Sequence, residues 1–152
     1  MPLVFLCAML ISGCTRGPVF EDHIIFEDNS WGRFQELEFE MPVKSTSHGY
    51  AFFISVKYTD DLEISILPIN FTFSTPDGEY RTLNYDLRFL DYDNQFRGKK
   101  VDGHRVLIIP LRTDFRFAEE GVCHFIIENR APRVEVPGIS SVGIIVAKAR
   151  ED

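Results

Sequence analysis

Cys123 and His124 stand side by side in "GVCHFIIEN", and a thiol beside an imidazole is the pairing that activates a sulfur nucleophile. The flanking residues read as an apolar strand, and adjacent residues of a strand point to opposite faces. The thiol is therefore expected among buried apolar groups, away from the ring. "DYDNQFRG" sets Asp91, Asp93 and Gln95 at alternate positions, as the oxygens of a calcium loop are spaced. Such a loop needs Gly at its sixth position and Glu at its twelfth, where this chain has Phe96 and Asp102, so no metal is expected. The four histidines, His23, His48, His104 and His124, include no pair at i, i+2 or i, i+4, the spacings of a local zinc site. Glu119-Glu120, just before Gly121, reads as a polar turn rather than an acid–base pair. There is no nucleophile elbow, phosphate loop or dinucleotide fingerprint. Nothing in these residues argues for an enzyme or for a cofactor.

Cys14 is different. From Pro2 to Ile11 the chain is almost wholly apolar, too short a run for the roughly 20 residues of a spanning helix but the length of a signal-peptide core. The run closes on Ile11-Ser12-Gly13-Cys14, which resembles the lipobox of bacterial lipoproteins. That resemblance implies lipid attachment at Cys14, with cleavage just before it. Small residues there let the extended backbone enter the peptidase. No Lys or Arg precedes Cys14, so the reading places a basic n-region upstream of Met1.

The reading that follows is a signal peptide over 1–13, a lipidated tether and N-terminal segment over 14–30, and a domain over 31–150. After acylation of Cys14 only Cys123 remains as a thiol, so no internal disulfide is expected. The net charge of −7 argues against nucleic acid, because phosphate neutralisation needs clustered Lys and Arg. The basic knot "RGKK" at 97–100 follows Asp91 and Asp93 and reads as a solvated loop.

Beyond residue 31 the dominant period is two, the period of a half-buried strand. Leu37, Phe39 and Met41 alternate with Glu36, Glu38 and Glu40, and Phe52, Ile54, Val56 and Tyr58 with Phe53, Ser55, Lys57 and Thr59. Ile69, Phe71 and Phe73 face inward on the same grounds, as do Leu83, Tyr85, Leu87 and Phe89. "STPDGEY" between these last two strands is a hairpin signal. "RVLIIPL", "CHFIIE" and "VGIIVAKA" add more continuously buried strands, with Pro110 expected at an edge or bulge. The class is all-β: an antiparallel two-sheet β-sandwich, jelly-roll-like, of about eight strands. A closed barrel is the alternative.

Three aromatics are candidate interaction residues: Trp31, Phe53 and Phe96. For Trp31 a core anchor is the preferred reading and ligand stacking the second. Phe53 lies on the strand face opposite Phe52 and Ile54.

Several features taken together resemble the gliding-motility-associated lipoprotein H family of Gram-negative bacteria. They are Cys14, Trp31-Gly32 before Leu37–Met41, Pro76-Asp77-Gly78, Asp91 to Gly98, Gly121 four residues after Phe117, and "VPGISSVG" at 136–143. The last is similar to a family L-P-G-I-x-D-V-G pattern and is the most specific. The resemblance runs from Cys14 to about Lys148. The chain departs from the pattern at Asn94 or Gln95 and at Phe96, where the family usually has Gly and Trp, and at Ser141, where it has Asp. A family Arg corresponds to Arg130 or Arg133. The resemblance implies a divergent, non-enzymatic lipoprotein of the gliding and type IX secretion machinery. Its partners would be envelope or secretion-machinery proteins, and Thr15-Arg16 after the lipidated Cys, with no acidic residue there, point to a lipid anchor in the outer membrane facing the periplasm. The alternative is an envelope carbohydrate-binding-like sandwich module.

Overall fold

The computed structural model describes residues 17–151, and the signal peptide and Cys14 lie outside that range. Its strands, in chain order, are β1 (Phe20–Ile25), β2 (Ser30–Gly32), β3 (Leu37–Val43), β4 (Tyr50–Tyr58), β5 (Ile66–Ser74) and β6 (Tyr80–Arg88). They continue with β7 (Lys99–Val101), β8 (His104–Phe115), β9 (Gly121–Asn129), β10 (Glu135–Pro137) and β11 (Ile139–Lys148). One sheet has the order β1-β11-β4-β8-β7 and the other β3-β9-β5-β6; β10 and β2 form a separate ribbon.

The eight long strands pair antiparallel in a nested series: β1 with β11, β3 with β9, β4 with β8, β5 with β6. A single long hairpin rolled over on itself produces this series, with alternate pairs falling into opposite sheets. This is jelly-roll topology, two Greek keys in a double sheet. Among the described residues no backbone ladder joins the two large sheets, so the fold is a sandwich and not a closed barrel.

Alternation sorts the side chains as expected. Leu37, Phe39 and Met41 are buried, while Glu38 and Glu40 are exposed. Phe52 of β4 shows how the layers meet. Its ring lies 5.8 Å from Phe73, 6.3 Å from Phe71 and 5.3 Å from Phe125, all on the facing sheet and all edge-on. Edge-to-face rings at about 4.5–7 Å are the favoured aromatic geometry, and each buried Phe stabilises by roughly 1.5–3 kcal/mol. Phe115 and Phe117 close the same cluster.

Turn chemistry places the innermost hairpin. Gly78 N–H donates to the Thr75 carbonyl at 3.0 Å, Thr75 N–H to Glu79, and Gly78 sits at φ +88°. Pro76 and Asp77 thus fill the centre of the turn and Gly78 takes the left-handed position, a three-residue hairpin loop. Pro110 falls where the β4–β8 register shifts, beside Phe53, and beyond Val106 no strand pairs with the outer side of β8. An imino acid costs that edge no ladder bond.

The N-terminal boundary moves. Residues 20–25, placed with the tether in the sequence reading, form β1 and pair along β11 from Phe20↔Val146 to Ile25↔Ser141. Phe20 and Ile24 pack against the core, while Glu21, Asp22 and His23 stay exposed. An edge strand with two inward apolar residues has too weak an alternation to stand out. The β2–β10 ribbon was equally invisible. Its three residue pairs, Glu135↔Gly32, Val136↔Trp31 and Pro137↔Ser30, join segments far apart in the chain.

Candidate functional site

The strands give the sandwich two unlike ends. At one end the described chain enters: Val19 N–H donates to Val146 O at 2.7 Å, Ala149 N–H to Gly49 O at 2.9 Å, and Tyr50 meets Phe117 with ring centroids 5.1 Å apart. The β5–β6 turn shares this end, since a Cβ on Gly121 would lie 2.8 Å from the Pro76 side chain. The opposite end carries the β2–β3, β4–β5, β6–β7 and β9–β10 connections. β4 runs from Tyr50 at the first end to Tyr58 at the second, nine residues at about 3.3 Å each, or roughly 30 Å.

Trp31 sits in this far end and is fully buried. Its ring stacks on Phe26 at 6.0 Å, and its indole N–H donates to the Gln35 carbonyl at 3.0 Å. The ring plugs the sandwich, as a core anchor does, and presents no face to a ligand. A second bond holds it from behind, because the buried Asn129 amide donates to the Trp31 carbonyl at 3.0 Å.

Phe96 is half-buried. It lies 5.9 Å from the Tyr58 ring and 5.8 Å from the Arg105 guanidinium, and the Tyr58 hydroxyl donates to the Arg97 carbonyl. The loop around it is tied locally. The Asp91 carboxylate accepts the backbone N–H groups of Asp93 and Gln95 at 2.8 and 3.0 Å, and Asn94 adopts φ +57°. Asp91 is a turn-forming residue here. Arg105 also donates to Asp60 at 2.7 Å and, through this bond, holds that carboxyl below the usual range.

Phe53 lies on the outer face of the five-stranded sheet, opposite Ile145 on β11 and Pro110 on β8. Ile108, 52% exposed, continues that face. Phe53 and Phe96 are not brought together: one is on a sheet face, the other in the β6–β7 connection.

Cys123 is fully buried, and burial pushes its thiol up to about 12. His124 points the other way and lies 3.5 Å from Glu40 on the outer face. Among the described residues no three His, Cys, Asp or Glu side chains converge as metal ligands would.

The structure adds a feature that the sequence reading passed over. Arg33 N–H donates to the Val134 carbonyl at 2.8 Å; Val134 is 74% exposed, and Phe34, next to Arg33 in the chain, is 85% exposed. The Arg33 guanidinium lies 5.8 Å from the Phe34 ring. Beside them a cleft of about 220 Å³ is lined by Arg33, Phe34, Glu36, Glu128 and Arg130. Partial desolvation and the neighbouring Glu128 carboxylate raise the Glu36 carboxyl. An isolated apolar residue in each of two polar loops, "GRFQ" and "PRVE", was the available signal.

A family model of the GldH lipoproteins matches residues 18–146, almost the whole described chain. The chain belongs to this family. GldH lipoproteins are associated with gliding motility, which puts a member at the cell envelope, held there by lipid. The matched region starts just ahead of β1 and ends within β11, so the family unit is the sandwich itself, including the edge strand. No curated protein matches the chain.

Proposed function

We propose that the protein is a non-enzymatic assembly or stability factor of the gliding and type IX secretion machinery. It is anchored through acylated Cys14 in the outer membrane and faces the periplasm. Family membership across 18–146 is the observation that carries this reading. The lipobox-like Ile11–Cys14 supports the anchor, and Thr15-Arg16 after it lacks the acidic residue that often retains lipoproteins in the inner membrane. The work falls to protein contacts in this reading, and the buried Cys123 thiol, pushed up to about 12, is a poor nucleophile at neutral pH.

The carbohydrate-binding alternative has less support. A glycan platform needs a row of exposed aromatics, yet among the described residues Phe53 and Tyr80 are the aromatics on the outward strand faces and they lie on different sheets.

Replacing the gene by a Cys14→Ser copy tests the reading. The protein is expected to leave the membrane fraction while staying folded, and secretion of type IX cargo is expected to fall. Protease added to intact cells should spare the wild-type protein and should degrade it once the outer membrane is permeabilised. Normal cargo secretion in a deletion strain would reject the functional role, and loss of the protein from protease-treated intact cells would reject the periplasmic placement.

A further inference from the structure

We propose that the far end of the sandwich, centred on Arg33, Phe34 and Val134, docks a protein segment that presents a carboxylate next to an apolar side chain. This rests on the reading that the domain works through protein contacts, and it names the surface and the chemistry of the partner.

Two exposed apolar residues, Phe34 and Val134, stand on separate loops whose backbones are joined by the Arg33 N–H to Val134 carbonyl bond. Nothing in the fold gains from exposing them, whereas an apolar centre with an arginine-rich rim is the anatomy of a protein interface. The rim charges differ in their commitments. Arg130 lies 3.8 Å from Glu128 and Arg133 3.0 Å from Glu63. Arg33 has no carboxylate partner among the described residues and leans on Phe34 instead. A carboxylate from the partner completes Arg33, and an apolar neighbour of that carboxylate covers Phe34 and Val134.

The occupant is a protein segment on two grounds. The adjoining cleft, about 220 Å³, is smaller than the roughly 300–1,000 Å³ of small-molecule sites. An anionic membrane surface would meet Glu36, Glu63 and Glu128 along with the arginines. The end is also turned away from the anchor. Cys14 precedes Val19 by five residues, a reach of at most about 18 Å, and Val19 enters at the opposite end of the strands. The rigid Trp31–Asn129 connection beneath the patch fixes the loops that carry it.

Site-specific photocrosslinking of the full-length lipidated protein in living cells tests this. A benzoylphenylalanine is placed at position 34 and, as comparisons, at positions 108 and 79. The expected result is a crosslink from position 34 to a peptide bearing Asp or Glu beside an apolar residue. Arg33→Glu should lower its yield about tenfold or more, as for a desolvated charge pair, and Lys in place of the partner's acid should restore it. Thermal melts of Arg33→Glu matching wild type show that the loss is not unfolding. Crosslinking to lipid, to a second copy of this chain or to glycan overturns the proposal, as does a yield indifferent to Arg33→Glu. Crosslinks from position 108 or 79 with none from position 34 overturn the docking site and leave the assembly role intact. No crosslink at any position, with normal cargo secretion in the deletion strain, removes both.

Discussion

The side-chain amide of Asn129, the last residue of β9, donates to the backbone carbonyl of Trp31 at 3.0 Å, and its carbonyl oxygen accepts the Ala131 N–H at 2.9 Å. One buried amide thereby holds the strand β2 and the start of the β9–β10 connection. Asn129→Ala removes both bonds and leaves the buried Ala131 N–H without this acceptor, and an unsatisfied buried group costs about 1–3 kcal/mol. The variant is expected to unfold at lower urea than wild type, with Trp31 fluorescence shifting first. An unchanged urea midpoint would show that this bond is dispensable.

Facing within the sheets sets a sharp contrast among neighbours. Leu37 and Phe71 are buried at 1% and 0% exposure, and Glu38 between the inward positions of β3 is exposed. Burying an unpaired carboxylate costs several kcal/mol, a large part of a domain's ~5–15 kcal/mol stability. Leu37→Asp and Phe71→Asp should abolish the cooperative thermal transition in circular dichroism. Glu38→Lys should melt close to wild type.

Gly138, in the "VPGISSVG" stretch, has φ +92°, and a Cβ there would approach the Leu62 backbone at 3.1 Å. Its N–H donates to Asn29 O and its carbonyl accepts Thr59 N–H, so the backbone cannot turn away without breaking both. Gly138→Ala is expected to destabilise by more than about 1 kcal/mol, the cost of a left-handed L-residue, in chemical denaturation. A variant as stable as wild type would mean that the β4–β5 loop yields to the new methyl.

Cys123 offers a reading of burial through pH. A chain starting at Gly17 holds it as the single thiol. Because burial raises that thiol to about 12, the folded protein should react slowly with an alkylating reagent at pH 8. Denaturant should restore the rate of an ordinary thiol, whose pKa is about 8.5. Rapid labelling of the native protein, followed by mass spectrometry, would contradict the buried position.

The sequence by itself determined the local facts. Alternation of Leu37, Phe39 and Met41 with glutamates names an inward face, because a strand turns each successive side chain over. Pro76, Asp77 and Gly78 specify a turn through their own backbone preferences, and Pro110 announces an edge because it lacks an N–H. The lipobox-like tetrapeptide and the ordered glycine and tryptophan positions point to the family without any tertiary contact.

Tertiary structure decided what no window of neighbouring residues contains. Which sheet each strand joins depends on pairings such as Phe20 with Val146, whose partners lie at opposite ends of the chain. β1 escaped notice because an edge strand needs apolar residues on only part of one face, so Phe20 and Ile24 were masked by Glu21, Asp22 and His23. The pairing of Trp31 with Val136 likewise arises only when two three-residue segments meet. The exposed pair Phe34 and Val134 has the same origin. In the sequence each is a single apolar residue in a polar loop, and the two loops meet because the Arg33 N–H finds the Val134 carbonyl.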